Sequence, residues 1–442
     1  MPDALRDHVP TSMVDRRMVA SARPDRHVGK KGRAHGHGDP QPPRIHPLFL
    51  VRLLGPTSPP RGTRTRRFRR NPHTFPSRRP IGRRLPAHPA EETAMMAGAS
   101  GSVEEEGGLR AEESPSGGVD VWSDAVSSHA PEHLLVMVHG ILGSTNDWQY
   151  AANEFVKQLP DDVIVHCSEK NMNTLTLDGV DVMGERLADE VLDVISRKPE
   201  LTKISFLAHS VGGLVARYAI AKLYRHPNST FDSKAEGTIC GLEAVNFITV
   251  ATPHLGSRGN KQVPLLFGFI TIEKVASRVI HWIFRRTGRH LFLTDSAEGE
   301  PPLLQRMVED YGDLYFISAL RAFKRRVAYA NADCDHIVGW RTSSIRRNTE
   351  LPKWEESVCE KYPHIVHEEY SEEISDEKCQ DLAADCDFDL LEGLRRVSWE
   401  KVDVSFHTSM RSFAVHSIIQ VKYAFMNEGA DVIQHIIDHF QL

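Results

Sequence analysis

The stretch that most constrains this chain is an apolar run, Ile204-Ser205-Phe206-Leu207, that ends in Ala208-His209-Ser210-Val211-Gly212-Gly213 and passes straight into a helical pattern. A strand that turns sharply into a helix through a serine, with small residues two before it and two after, is the pattern of a nucleophile elbow. The turn aims the hydroxyl away from its neighbours, and the small residues keep strand and helix from clashing. Ala208 stands where glycine is usual, which adds one methyl group. A serine between strand and helix also serves as an ordinary N-cap, so the pattern needs a partner elsewhere in the chain.

That partner lies upstream. Leu134-Leu135-Val136-Met137-Val138 reads as a second buried strand, and it ends in His139-Gly140-Ile141-Leu142-Gly143. Acyl transfer passes through a tetrahedral oxyanion, which backbone N–H groups must meet. The N–H of Val211, next after the nucleophile, supplies one donor, and the N–H of Ile141 or Leu142 on the glycine-flanked loop supplies the other. His139 reads as a residue that shapes this loop, because the base of such a site comes last in the chain.

A hydroxyl nucleophile needs a base, and the base needs an orienting carboxylate. Asp335 follows the apolar strand around Val327–Tyr329 and abuts Ile337-Val338, an apolar pair expected to anchor its loop; Asp333 is the competitor. His416 falls in a loop after the last predicted strand, with His407 as its nearest rival among 23 histidines. Ser210, Asp335 and His416 thus follow one another in the order nucleophile, acid, base.

The net charge of −5 hides two unlike parts. Residues 1–94 carry 20 Lys and Arg against 7 Asp and Glu and hold 15 of the 26 prolines, leaving 34 against 52 charged residues in the remainder. The first part lacks apolar periodicity, so disorder is expected over 1–118, a basic Pro/Arg-rich leader followed by a Gly/Ser/Glu linker. A leader ahead of a chain beginning at Met95 or Met96 is the preferred reading of it. A nucleic-acid arm is not expected, since aromatics are not interleaved with the arginines. The folded region is expected over 119–442, long enough for one core of roughly 250 to 300 residues. Six scattered cysteines without paired spacing suggest a reducing compartment, with no disulfide framework and no zinc site.

Along the folded region, strands are expected at Leu134–Val138, Asp162–His166, Ile204–Leu207, Val245–Val250, Leu314–Ile317, Arg326–Ala330 and Val402–Phe406. Helices are expected at Asp147–Leu159, Leu175–Ile195, Gly212–Tyr224 and Ala430–Phe440. Alternation of this kind predicts a doubly wound, mostly parallel α/β sheet. Two insertions interrupt it, near 254–302 and, acidic with helical pieces, 350–395. The first carries Arg258, Lys261, Lys274, Arg278, Arg285, Arg286 and Arg289 against Glu273. Its apolar residues from Leu265 to Ile283 fall at helical spacing, so it reads as a basic amphipathic lid.

His139-Gly140-Ile141-Leu142-Gly143-Ser144, the Ser210 elbow, Ala251-Thr252-Pro253-His254-Leu255-Gly256, Asp335-His336-Ile337-Val338-Gly339-Trp340 and the late His416 together resemble the DUF676-type serine esterase family of α/β-hydrolases, its plant members and yeast lipid-droplet lipase relatives above all. The resemblance covers about residues 131–440. It implies an α/β-hydrolase fold and cleavage of carboxylic esters, with lipid esters as the expected class, Ser210, Asp335 and His416 as triad and no metal or cofactor. An acyltransferase on the same site and a catalytically silent binding module are the alternatives. Residues 258–289 suit contact with a membrane or lipid-droplet surface, and nucleic acid is not an expected partner. A cytoplasmic protein, peripheral on membranes, is expected, with chloroplast targeting by the N-terminal segment as the weaker alternative.

Overall fold

In the strand β3 (His133–Val138), successive side chains point to opposite faces, and every one of them is buried. A strand apolar on both faces must sit inside a sheet covered on both sides. The computed structural model describes residues 109–113, 118–123, 130–227, 237–257, 284–297, 299–353, 359–374, 386–411, 414–423 and 425–442. The strands of its main sheet are β1 (Leu109–Glu113), β2 (Val119–Ser123), β3, β4 (Val163–Cys167), β5 (Lys203–His209), β6 (Glu243–Val250), β7 (Arg325–Asn331), β8 (Ile365–Ser371) and β9 (Trp399–Val404). Its main helices are α1 (Gln149–Gln158), α2 (Val180–Arg197), α3 (Val211–Leu223), α4 (Phe316–Ala322), α5 (Cys386–Leu394), α6 (Val415–Ile418) and α7 (Ala430–Asp438).

The nine strands form one sheet in the order β1-β2-β4-β3-β5-β6-β7-β9-β8. From β4 to β9 every neighbouring pair is parallel. Only the edges run antiparallel. This is the α/β-hydrolase arrangement that the motif order implied. Leu134, Val136, Phe206 and Ala208 pack beneath α2 and α3. Their neighbours Leu135, Met137 and Leu207 point the other way, onto α1 and α7. From β3 the chain crosses to β4 on one side, then returns to β5 on the other. Such a reversal opens a crevice at the carboxyl ends of the two strands, and here those ends carry Gly140 and Ser210.

Four expectations are corrected. The linker expected up to residue 118 contains β1, so regular structure is present at Leu109–Glu113 within it. As a mostly exposed edge strand it is formed by backbone pairing with β2 and carries no apolar signature. The acidic insertion 350–395 likewise contains β8, an antiparallel edge strand with Glu368 and Tyr370 exposed. Of Leu314–Ile317, expected as a strand, only Leu314–Tyr315 is one, a two-residue strand outside the main sheet that pairs antiparallel with Asp310–Tyr311; Phe316 and Ile317 open α4, where the amides of Ile317 and Ser318 donate to Asp310 Oδ1 at 2.9 and 3.1 Å. The helix expected from Leu175 starts only at Val180, because Gly179 at φ 108° breaks it from a 3-10 turn at Asn173–Leu177. Residues 1–94 and the apolar stripe from Leu265 to Ile283 lie outside the described residues. Among those described, no helix is long and apolar enough to cross a membrane.

The β2 edge is tied to the layer below it by charge. His166 of β4 is fully buried, with Nδ1 2.6 Å from Asp120 and Nε2 3.1 Å from Glu190 of α2. Burial pushes this imidazole down, but the hydrogen bonds to Asp120 and Glu190 outweigh it and raise it from 6.5 to about 9. A group whose folded value is raised contributes stability that is complete below its unfolded value and is lost as pH rises through the folded one. The His166 contribution, on the order of 3 kcal/mol, should therefore disappear between about pH 6.5 and 9. Glu190→Gln removes one of the two anions, so the alkaline fall in melting temperature should begin at lower pH than in the parent. Superimposable pH profiles would refute this assignment.

Candidate active site

Ser210 follows β5 directly and precedes α3, at φ 56° and ψ −133°. Positive φ is rare for a residue with a side chain. Its own N–H donates to the Val250 carbonyl of the adjacent strand at 2.9 Å, so the turn is pinned to the sheet. Two glycines make the room. A Cβ on Gly212 would lie 2.5 Å from the His139 carbonyl, and one on Gly140 would lie 2.9 Å from Ser210 Cβ. The loop after β3 and the elbow after β5 thus touch only because both positions lack side chains.

The Ser210 hydroxyl lies 2.9 Å from His416 Nε2, and His416 Nδ1 lies 2.9 Å from Asp335 Oδ2. All three residues are buried. With Nδ1–H donating to the carboxylate, Nε2 is left as the acceptor for the serine proton. Asp335 is held by more than the histidine. Asn331 Nδ2 donates to Oδ2 at 2.8 Å, and the amides of Ile337 and Val338 donate to Oδ1 at 3.0 and 2.8 Å. Burial works against its charge, yet His416 and these donors outweigh burial and keep the carboxyl below its ordinary 3.8. The loop is therefore anchored by amides around the carboxylate. Of the apolar pair expected to anchor it, Val338 is buried but Ile337 is exposed.

The rivals point elsewhere. Asp333 accepts from Ser405 Oγ at 3.1 Å, and His407 Nδ1 lies 2.9 Å from that same hydroxyl. His416 sits on α6, one turn of helix, where a loop had been expected. His209, beside Ser210, donates from Nε2 to the His416 carbonyl at 2.7 Å. Burial, then the neighbouring His416, hold its imidazole well below 6.5, so it acts as a neutral prop for the His416 backbone. His139, as expected, shapes its loop, with Nδ1 3.0 Å from the Gly140 carbonyl.

The three expected oxyanion donors separate. The amides of Ile141 and Val211 donate to no group among the described residues. The Leu142 amide is already engaged, donating to Thr176 Oγ1 at 2.8 Å with Leu142 at φ 53°. Thr176 in turn donates to the Asn173 carbonyl at 2.5 Å, and the Asn173 amide donates to the Gly143 carbonyl at 2.8 Å. The loop is thereby clamped with Ile141 as the free donor. Thr176, Asn331 and His209 escaped the sequence reading of the site: no motif marks Thr176 or Asn331, since each acts through a partner distant in sequence or by a local turn.

Residues 128–345 match the family described as "Putative serine esterase (DUF676)". The match takes in 218 of the 442 residues. The match spans Ser210 and Asp335, and His416 lies beyond it. Over 236 residues the chain is 31% identical to "Putative lipase ROG1" of Saccharomyces cerevisiae, which covers 51% of this chain and 31% of that protein. It is 28% identical over 236 residues to "Putative lipase C4A8.10" of Schizosaccharomyces pombe, covering 51% and 27%. The chain spans about a third of the length of these curated relatives. Among solved structures, the mature form of Bacillus licheniformis lipase BlEst2 aligns with a TM-score of 0.32 at 14% identity, over 50% of this chain and 74% of that one.

The clamp on the loop is testable through the serine it faces. Thr176→Val keeps the side-chain shape but removes the acceptor for the Leu142 amide. Labelling of Ser210 by a fluorophosphonate, whose phosphoryl oxygen needs the same amides as an oxyanion, should slow by roughly tenfold, less than the loss of an oxyanion donor itself. Stability should fall by only about 1 kcal/mol. Labelling at the parent rate would remove Thr176 from the site.

Proposed function

We propose that this chain is a serine hydrolase that cleaves carboxylic esters, with lipid acyl esters as the substrate class. The observation that carries the reading is the unbroken line of hydrogen bonds from Ser210 through His416 to Asp335, at 2.9 Å each, on a strained elbow beside two free amides. In this mechanism the Ser210 Oγ attacks the acyl carbon while His416 Nε2 takes its proton. Asp335 keeps the imidazole in the right tautomer and balances the imidazolium. The oxyanion is met by the Ile141 and Val211 amides, preorganised where charge develops. Collapse releases the alcohol, which takes the proton from His416 and leaves an acyl-serine. Water, deprotonated by the same histidine, then attacks the acyl carbon, and Ser210 regains its proton as the acid departs. The lipid part of the reading is supported by the lipases among its relatives.

Ser210→Ala deletes one oxygen and no packing atom. Turnover of a p-nitrophenyl acyl ester should drop by a factor on the order of 10⁴ or more, and fluorophosphonate labelling should vanish while the melting temperature stays. A panel of acyl chain lengths then tests the substrate class. Parent-like turnover by the alanine variant would sink the reading.

A further inference from the structure

Residues 284–291 form a helical segment with a buried side that fastens it and an exposed side that is cationic. Thr287 Oγ1 accepts the Gly179 N–H at 3.0 Å and donates to the Thr176 carbonyl at 2.7 Å. His290 Nδ1 accepts the Val180 N–H at 3.0 Å. Both side chains are buried. Three bonds therefore fix the segment to the start of α2 and to the same Thr176 whose hydroxyl holds the oxyanion loop.

Its other side opens on a cavity of about 970 Å³ whose charged lining is Arg285, Arg286, Arg289, Arg306, Asp181 and Asp295. Four guanidinium groups face two carboxylates. Arg286 is paired with Asp181, and Arg306 lies 3.6 Å from Glu300 and over the Tyr311 ring. Asp295 is turned inward, accepting the Leu303 amide at 2.9 Å with His290 3.7 Å away. Arg285 and Arg289 are exposed and face no carboxylate partner among the described residues. Arg285 is moreover held at φ 48°, left-handed backbone that an arginine adopts only where its surroundings impose it.

This is a concentration of cations within a chain whose residues beyond 94 carry a large acidic excess. Like charges gathered in one concavity repel each other, and a bound anion relieves the repulsion. The planar guanidinium fork matches pairs of phosphoryl oxygens. A carboxylate fills one such fork, whereas a phosphoryl group presents enough oxygens for several. We propose that this cavity binds a phosphoryl group, carried by a soluble phosphoester or by a lipid headgroup, with Arg285 and Arg289 as its main contacts and Arg286 and Arg306 at its flanks.

Binding is measured without turnover, so the full chain carrying Ser210→Ala serves and the test is separate from the hydrolase reading. The probes are glycerol 3-phosphate by calorimetry and phosphatidylcholine vesicles, with and without phosphatidic acid, by sedimentation. At least one phosphoryl probe should bind, less tightly as salt rises. Arg285→Gln with Arg289→Gln should weaken that binding by about tenfold or more at an unchanged melting temperature. Lys157→Gln with Lys353→Gln, which removes the same charge elsewhere, should leave it intact. Binding of glycerol 3-phosphate assigns a soluble phosphoester, and binding confined to phosphatidic acid vesicles assigns a lipid headgroup. Failure of both probes, or equal binding by the arginine variant and its parent, overturns the proposal.

Discussion

Ser210 stands in left-handed backbone, a conformation that costs a residue with a side chain on the order of 1–3 kcal/mol. It persists because its surroundings leave no alternative. The Ser210 amide is bonded to β6 through Val250, the Gly213 amide is bonded to the Ser210 carbonyl at 3.1 Å, and Gly212 lies against the end of β3. The contacts with Val250 and with the end of β3 exist because β3, β5 and β6 are consecutive in the sheet. The elbow is thus a property of three strands, and its strain is balanced by the burial of the apolar side chains those strands carry.

The same sheet brings Asp335 and His416 to Ser210 from far along the chain. Asp335 leaves the carboxyl end of β7, and His416 follows β9, two strands beyond Ser210 and its neighbour β6. The loop that bears Asp335 is tied at both ends. At its start, Asn331 is the last residue of β7. At its end, Trp340 Nε1 donates to Asp403 Oδ1 of β9 at 2.6 Å. Asp403 is fully buried, accepts two further bonds from Arg346 Nη1, at 2.8 and 2.9 Å, and lies 3.1 Å from His367 Nδ1. A buried carboxylate so heavily bonded is costly to strip of one partner. That cost holds β7, β9 and the Asp335 loop in register, and so fixes where Asp335 presents its oxygens.

Beyond the chemistry, two groups of charged residues contrast with each other. Asp403, Glu190 and His166 are buried, paired and structural. Arg285 and Arg289 are exposed and face no carboxylate partner among the described residues, on a segment otherwise fastened by Thr287 and His290. Pairing inside and excess outside is the pattern of a surface that meets an anion, since an exposed cation costs little to leave in water and gains from a ligand that matches its geometry.

Much of this was legible in the residues themselves. Apolar runs that end in Gly140 and Ser210 dictate buried parallel strands, because such runs can be covered only on both faces, and the small residues of the elbow follow from its steric demand. The order Ser210, Asp335, His416 follows from the same plan. Other features left no local trace. β1 and β8 are edge strands made by backbone pairing, which needs no apolar alternation. Whether Asp333 or Asp335, and His407 or His416, approaches the serine depends on how β7 and β9 twist and which amides enclose a carboxylate. That Leu142 surrenders its amide to Thr176, leaving Ile141 free, is decided by a hydroxyl 34 residues away in the chain. Sequence determines which side chains must be buried and where the chain must turn; only the packed structure decides which polar groups then meet, because hydrogen bonds depend on fractions of an ångström that no spacing of residues records.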